Sequence, residues 1–74
     1  LRGRKRRTLK EWRRERDLTL KELGDAVGVS YVTIHGWENY RSEPRASDIA
    51  KLEKALGIKW SDDVLYNANN AKSN

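Results

Sequence analysis

Apolar positions along the chain come in short sets three and four residues apart. Leu9 and Trp12 form the first, with Arg13 alongside; Leu20, Leu23 and Val27 the second; Ile34 and Trp37 the third; Ile49, Leu52, Ala55 and Leu56 the fourth. That spacing matches the turn of an α-helix, and no segment shows the strict alternation of a half-buried strand. The helix ends are marked as well. The tetrapeptide TLKE occurs at residues 8–11 and again at 19–22, each time placing a Thr three residues before a Glu. The hydroxyl accepts from a backbone N–H of the first turn while the Glu reaches back to the capping residue, so both copies read as helix starts.

The pattern predicts helices over 9–16, 20–26 and 31–39, with Leu18 filling the first connection, Gly28 stopping the second helix and Ser30 capping the third. Pro44 breaks the loop YRSEPRAS. Ser47 with Asp48 opens a fourth helix that runs through Leu56 to Gly57. Ile58, Trp60, Val64 and Leu65 suggest a last short helix beginning after Ser61 and closing the core. From Tyr66 the chain is polar and aperiodic, a frayed end or the start of a linker. The expected fold is all-α, a compact domain of four to five helices. Residues 1–7 form a basic flexible arm, 8–66 the domain and 67–74 a polar tail. The second and third helices are joined by only Val27–Ser30, the connection of a helix-turn-helix.

Length and chemistry narrow the function. Seventy-four residues suffice for one small domain with a modest core. There is no Cys and one His, so neither a disulfide framework nor a metal site is expected, and no cofactor. No apolar run exceeds about three residues, which excludes a membrane span or signal core and reads as cytoplasmic. A nucleophile with its base and a Gly-rich phosphate loop are both missing, so no enzyme and no small-molecule substrate are expected.

The net charge of +5 is a patch rather than a spread. Residues 1–16 hold nine Lys or Arg against two Glu, whereas residues 17–74 hold seven basic against nine acidic residues. Such a patch attracts a polyanion by steering and counterion release. A merely solvated tail is the competing reading; an anionic membrane fits poorly because residues 1–7 have no apolar face. A basic arm beside a helix-turn-helix with a polar third helix points to double-stranded DNA.

The segments LTLKELGDAVGVSYVTIHGWENY and PRASDIAKLEKALGI resemble the helix-turn-helix domain of Cro/CI-type phage repressors, the Xre-like regulators. The likeness covers about residues 8–65. It is sharpest at Leu18, Thr19, Glu22 and Leu23, at 27–30, at Ile34 with Trp37 and Glu38, and at 55–58. It implies a lambda-repressor-like fold and a DNA-binding transcriptional regulator, read here as a repressor. It further implies a homodimer on an operator of two-fold symmetry, with the third helix in the major groove. The alternative is a module of the same fold, antirepressor-like or antitoxin-like, that binds proteins instead. The resemblance also pairs Arg13 with Glu38. Independently, a carboxylate beside Trp37 at the margin of the core needs a partner, unless it is simply solvated near the surface.

Three residues depart from the family pattern. Leu20 stands where Gln commonly contacts a phosphate, although backbone N–H groups remain available there. Gly24 takes the small-residue position where the second and third helices cross, at about 0.8–1 kcal/mol of helix propensity relative to Ala. Tyr40 replaces a Gly commonly found after the Trp-Glu pair, so the chain exit could differ and Tyr40 could reach a phosphate.

With Ile34 and Trp37 inward, the third helix turns Tyr31, Val32, His35 and Gly36 toward base edges. None makes the bidentate contacts of Arg, Asn or Gln, so reading leans on thymine methyls and shape. For Tyr31 and Val32 partial packing on neighbouring helices is the alternative, and for His35 a solvated surface position. Thr19, Ser30, Thr33, Asn39, Tyr40, Arg41 and Arg45 are the candidate phosphate contacts. Arg2, Arg4, Lys5, Arg6 and Arg7 of the arm are candidates for reading a narrow, A·T-rich minor groove.

Overall fold

The computed structural model describes residues 6–66. They form α1 (Leu9–Glu15), α2 (Leu20–Val27), α3 (Tyr31–Glu38), α4 (Ala46–Leu56) and α5 (Trp60–Asp63). Among the described residues the only extended pairing is an isolated parallel bridge between Arg7 and Val64. The all-α expectation holds, with five helices. None is long and apolar enough to cross a membrane.

Both TLKE segments form reciprocal caps. Thr8 Oγ1 accepts from the Glu11 amide at 3.2 Å, and Glu11 Oε1 accepts from the Thr8 amide at 2.9 Å. Thr19 and Glu22 repeat the arrangement at 3.0 and 2.9 Å. Four helices then end alike, on a residue of positive φ: Asp17, Gly28, Tyr40 and Gly57. After α3 the Arg41 amide returns to the Gly36 carbonyl at 2.9 Å and the Tyr40 amide to Trp37 at 3.2 Å, the paired bonds that close a left-handed helix end. Tyr40 therefore keeps the backbone exit that glycine commonly provides, at φ 60°.

Two helix starts differ from the sequence reading. α4 begins at Ala46, not at Ser47–Asp48, because the Asp48 carboxylate reaches back one turn to accept from the Arg45 amide at 3.0 Å. Ser47 thus lies inside the first turn. α5 begins at Trp60, before Ser61, because carboxylates replace a Ser or Thr cap. Asp63 Oδ2 accepts from the Lys59 amide and Glu53 Oε2 from the Trp60 amide, each at 2.8 Å. The helix is one turn long, and the extended backbone after it sends alternate side chains to opposite sides. Val64 is buried while Leu65 stays 40% exposed.

The core joins Leu9 and Trp12 of α1, Leu23 and Val27 of α2, Ile34 and Trp37 of α3, Leu52 and Leu56 of α4, then Ile58 and Val64. Full burial of each such side chain contributes about 1.5–3 kcal/mol. Ile49 is only half-buried. The Trp12 indole N–H donates to the Asp63 carbonyl at 2.8 Å, and the Arg7 and Arg16 guanidinium carbons each lie 5.0 Å from its ring centroid. This tie holds the start of α1 to the end of α5.

Candidate nucleic-acid interface

The α2–α3 turn is tight because α2 has no side chain where α3 meets it. A Cβ on Gly24 would lie 2.6 Å from the Val29 carbonyl oxygen. The Gly24 carbonyl accepts from the amides of Gly28 and Val29, at 2.7 and 2.9 Å, and Gly28 takes φ 88° to make the turn. Ser30 then caps α3 by accepting from the Thr33 amide at 3.3 Å. One end of α3 is thereby fixed to α2.

The other end is fixed to α1. Arg13 Nε donates to Glu38 Oε2 at 2.6 Å and Nη2 donates to Oε1 at 3.2 Å. Arg13 Nη1 also donates to the Leu18 carbonyl at 2.8 Å. The Glu38 side chain is 2% exposed, so the solvated alternative for it does not apply. A fork-to-fork pair of this kind sets orientation as well as contributing energy.

Held at both ends, α3 turns Ile34 and Trp37 into the core and leaves Tyr31 56% and Val32 62% exposed. His35 is exposed beside them, and Gly36 is half-buried because the α3–α4 loop lies over it. A Cβ on Gly36 would meet only Ser42 Oγ, at 3.3 Å. The partial-packing alternative for Tyr31 and Val32 fails at these exposures. One face thus presents a phenol, a branched alkyl group and an imidazole, with the Ser42 hydroxyl over Gly36.

Around it sit most of the expected phosphate contacts. Thr19 and Ser30 are exposed caps whose oxygens accept from backbone amides. The Thr19 hydroxyl proton is left for an outside acceptor, whereas the Ser30 and Thr33 hydroxyls share a hydrogen bond in which either can donate. Thr33 is half-buried, its hydroxyl 3.4 Å from that of Ser30. Asn39 is exposed but commits one amide hydrogen to the His35 carbonyl at 2.8 Å, keeping one for a phosphate. Arg41 and Arg45 are exposed in the α3–α4 loop. Tyr40 is half-buried, its ring edge-on to Tyr66 at 5.1 Å.

The arm is placed less simply. Arg2, Arg4 and Lys5 lie outside the described residues, as does the segment 67–74. Arg6 and Arg7 are seated on the domain. Arg6 Nη2 donates to the Ser61 carbonyl at 2.9 Å, and Arg7 joins the backbone of Asp63 and Leu65 at 3.0 and 2.8 Å. With Arg14, Glu11 and Glu15, Arg6 and Arg7 line a shallow groove on α1.

Two residues near the site were not anticipated. Ser42 lies against the outer face of α3, and Tyr66 donates to the Ser42 carbonyl at 3.0 Å. Tyr66 also packs on Trp60, ring centroids 5.6 Å apart, so it is part of the domain and not a frayed end. Burial, with Glu43 and Tyr40 adding to it, raises its hydroxyl to a pKa of about 12. The available signal was Tyr66 itself, an aromatic directly after the apolar pair Val64-Leu65 that continues the core-closing segment.

The short turn between α2 and α3, with α3 clamped at both ends and Tyr31, Val32 and His35 exposed on its outer face, defines a helix-turn-helix domain. A helix-turn-helix family model matches residues 9–62, and the chain belongs to the Cro/C1-type, Xre-like family of DNA-binding regulators. It is also similar to Multiprotein-bridging factor 1 of Candida albicans, 38% identical over 53 residues. That match covers 72% of this chain and 35% of the relative, so the chain spans about a third of that protein's length.

Proposed function

We propose that the chain binds double-stranded DNA sequence-selectively by laying the first turns of α3 in the major groove, and so regulates transcription. One observation carries this reading. Tyr31, Val32 and His35 share an exposed face of α3, with exposed capping hydroxyls at the starts of α2 and α3, Thr19 and Ser30, and exposed Arg41 and Arg45 in the segment that follows α3. Apolar and shape contacts read the bases, while the flanking donors fix register on the phosphates. The role is one of binding, without a catalytic step.

Repression needs only occupancy of an operator, which a small domain supplies unaided. As a homodimer it would match an operator of two-fold symmetry, with half-sites about one helical turn apart. A second reading is a protein-bridging module on the same fold. It is favoured by the poor hydrogen-bonding capacity of Tyr31, Val32 and Gly36, and by the name of the relative, a multiprotein-bridging factor.

Selection of bound duplexes from a random pool, followed by titration against salt, separates the readings. Contacts to about four to eight phosphates per subunit give a log–log slope of about −0.9 for each. Absence of duplex binding even at low salt would favour the bridging module.

A further inference from the structure

Tyr66 ends the described chain, yet three contacts hold it at the exit of α3. Its hydroxyl donates to the Ser42 carbonyl at 3.0 Å; its ring meets that of Tyr40 at 5.1 Å and that of Trp60 at 5.6 Å. Trp60 is itself placed by the Glu53 carboxylate on its backbone amide, so the strap is anchored on α4 and α5. On the other side of the loop, Arg41 is drawn back to the Gly36 carbonyl, and Ser42 Oγ occupies the space over Gly36 that a side chain would fill. The missing side chain on α3 is therefore replaced by a hydroxyl from the loop.

We propose that Tyr66 is a positioning residue for DNA contact, holding the α3–α4 loop so that the Ser42 hydroxyl and the Arg41 guanidinium meet a backbone phosphate beside Gly36. This rests on α3 facing DNA as proposed above. A hydroxyl and a guanidinium on adjacent exposed residues are two donors that a single phosphate can accept together. Fixing the loop beforehand removes the ordering cost from the binding step. Tyr66 touches no DNA itself; it acts through Ser42 and Tyr40.

The test compares wild type with Tyr66→Phe, Ser42→Ala and the double variant, on an operator selected from a random pool. Tyr66→Phe keeps both ring contacts and removes only the donor, so packing and fold are retained, as circular dichroism checks. Expected for Tyr66→Phe is an affinity loss of about 3- to 10-fold, a salt slope shallower by about 0.9, one phosphate's worth, and faster hydrogen exchange at the Arg41 amide. Ser42→Ala should give a similar loss, and the double variant little more than either. Unchanged affinity and slope in Tyr66→Phe, while wild type binds its operator, would overturn the positioning role alone. If wild type binds no duplex, the DNA reading falls and this proposal with it. That case is recognisable because the Arg41 amide would still respond to Tyr66→Phe.

Discussion

Replacing Gly24 by alanine sets helix propensity against the α2–α3 crossing, and the geometry decides which prevails. The exchange adds about 0.8–1 kcal/mol of intrinsic helix stability. The new Cβ, however, falls 2.6 Å from the Val29 carbonyl oxygen, 3.2 Å from the Ser30 carbonyl carbon and 3.3 Å from the Tyr31 amide nitrogen. All three atoms are backbone, so no rotamer change relieves the contact. To restore an ordinary separation the turn must recede by roughly 0.8 Å, carrying the first turn of α3 with it; overpacking of this kind costs about 1–3 kcal/mol. Gly24→Ala should therefore destabilise by up to about 2 kcal/mol and weaken operator binding. Gly36→Ala is the control with the same propensity gain. Its Cβ meets only Ser42 Oγ, a rotatable atom at 3.3 Å, so stability should rise by about 0.5–1 kcal/mol, while the added methyl obstructs the approach of DNA. Urea unfolding of both variants at constant m-value reads these signs. A Gly24→Ala protein as stable as wild type, or a Gly36→Ala protein less stable, would refute the assignment of the two glycines.

Glu38→Gln and Arg13→Met should each cost about 3–5 kcal/mol, because the remaining charge is left buried; in a double-mutant cycle by urea unfolding, the pair should recover much of this, and additive losses would remove the coupling. Asp17→Gly should stabilise by about 0.5–1 kcal/mol, since Asp17 has φ 58° and sets a negative charge at the C-terminal end of α1; a lowered melting temperature would contradict it. Val32→Ala should reduce affinity for a thymine-bearing operator by about 1 kcal/mol and leave binding to random duplex unchanged; an equal loss on both, measured side by side, would show that Val32 does not read a methyl. The raised Tyr66 hydroxyl makes the fold lose stability at high pH. Up to about pH 10 folded and unfolded chains both keep this proton, and between there and about pH 12 the unfolded chain releases it first, so stability falls as pH rises. The ring is partly exposed, and screening limits the loss to about 1 kcal/mol. Alkaline denaturation should be less steep in Tyr66→Phe, and identical curves would count against it.

What was legible in the sequence follows from the range over which each feature is determined. The starts of α1 and α2 are decided within four residues, Thr8 to Glu11 and Thr19 to Glu22, and the outer face of α3 is fixed once Ile34 and Trp37 are known to point inward. The start of α5 was misplaced because one of its caps, Glu53, comes from seven residues away on α4. The left-handed ends at Asp17 and Tyr40 carry no glycine to announce them; they are imposed by the helices that must follow. Arg7 reads in sequence as part of a flexible DNA-contacting arm because its backbone partners, Asp63, Val64 and Leu65, lie at the far end of the chain. The same holds for Tyr66, which reaches Ser42 across 24 residues. Local sequence therefore defines the surface offered to DNA, whereas the precision of that surface depends on long-range ties at its edges. Arg13 to Glu38 fixes the helix and Tyr66 to Ser42 fixes the loop, so substitutions remote from α3 in sequence can alter recognition without changing any residue that faces the groove.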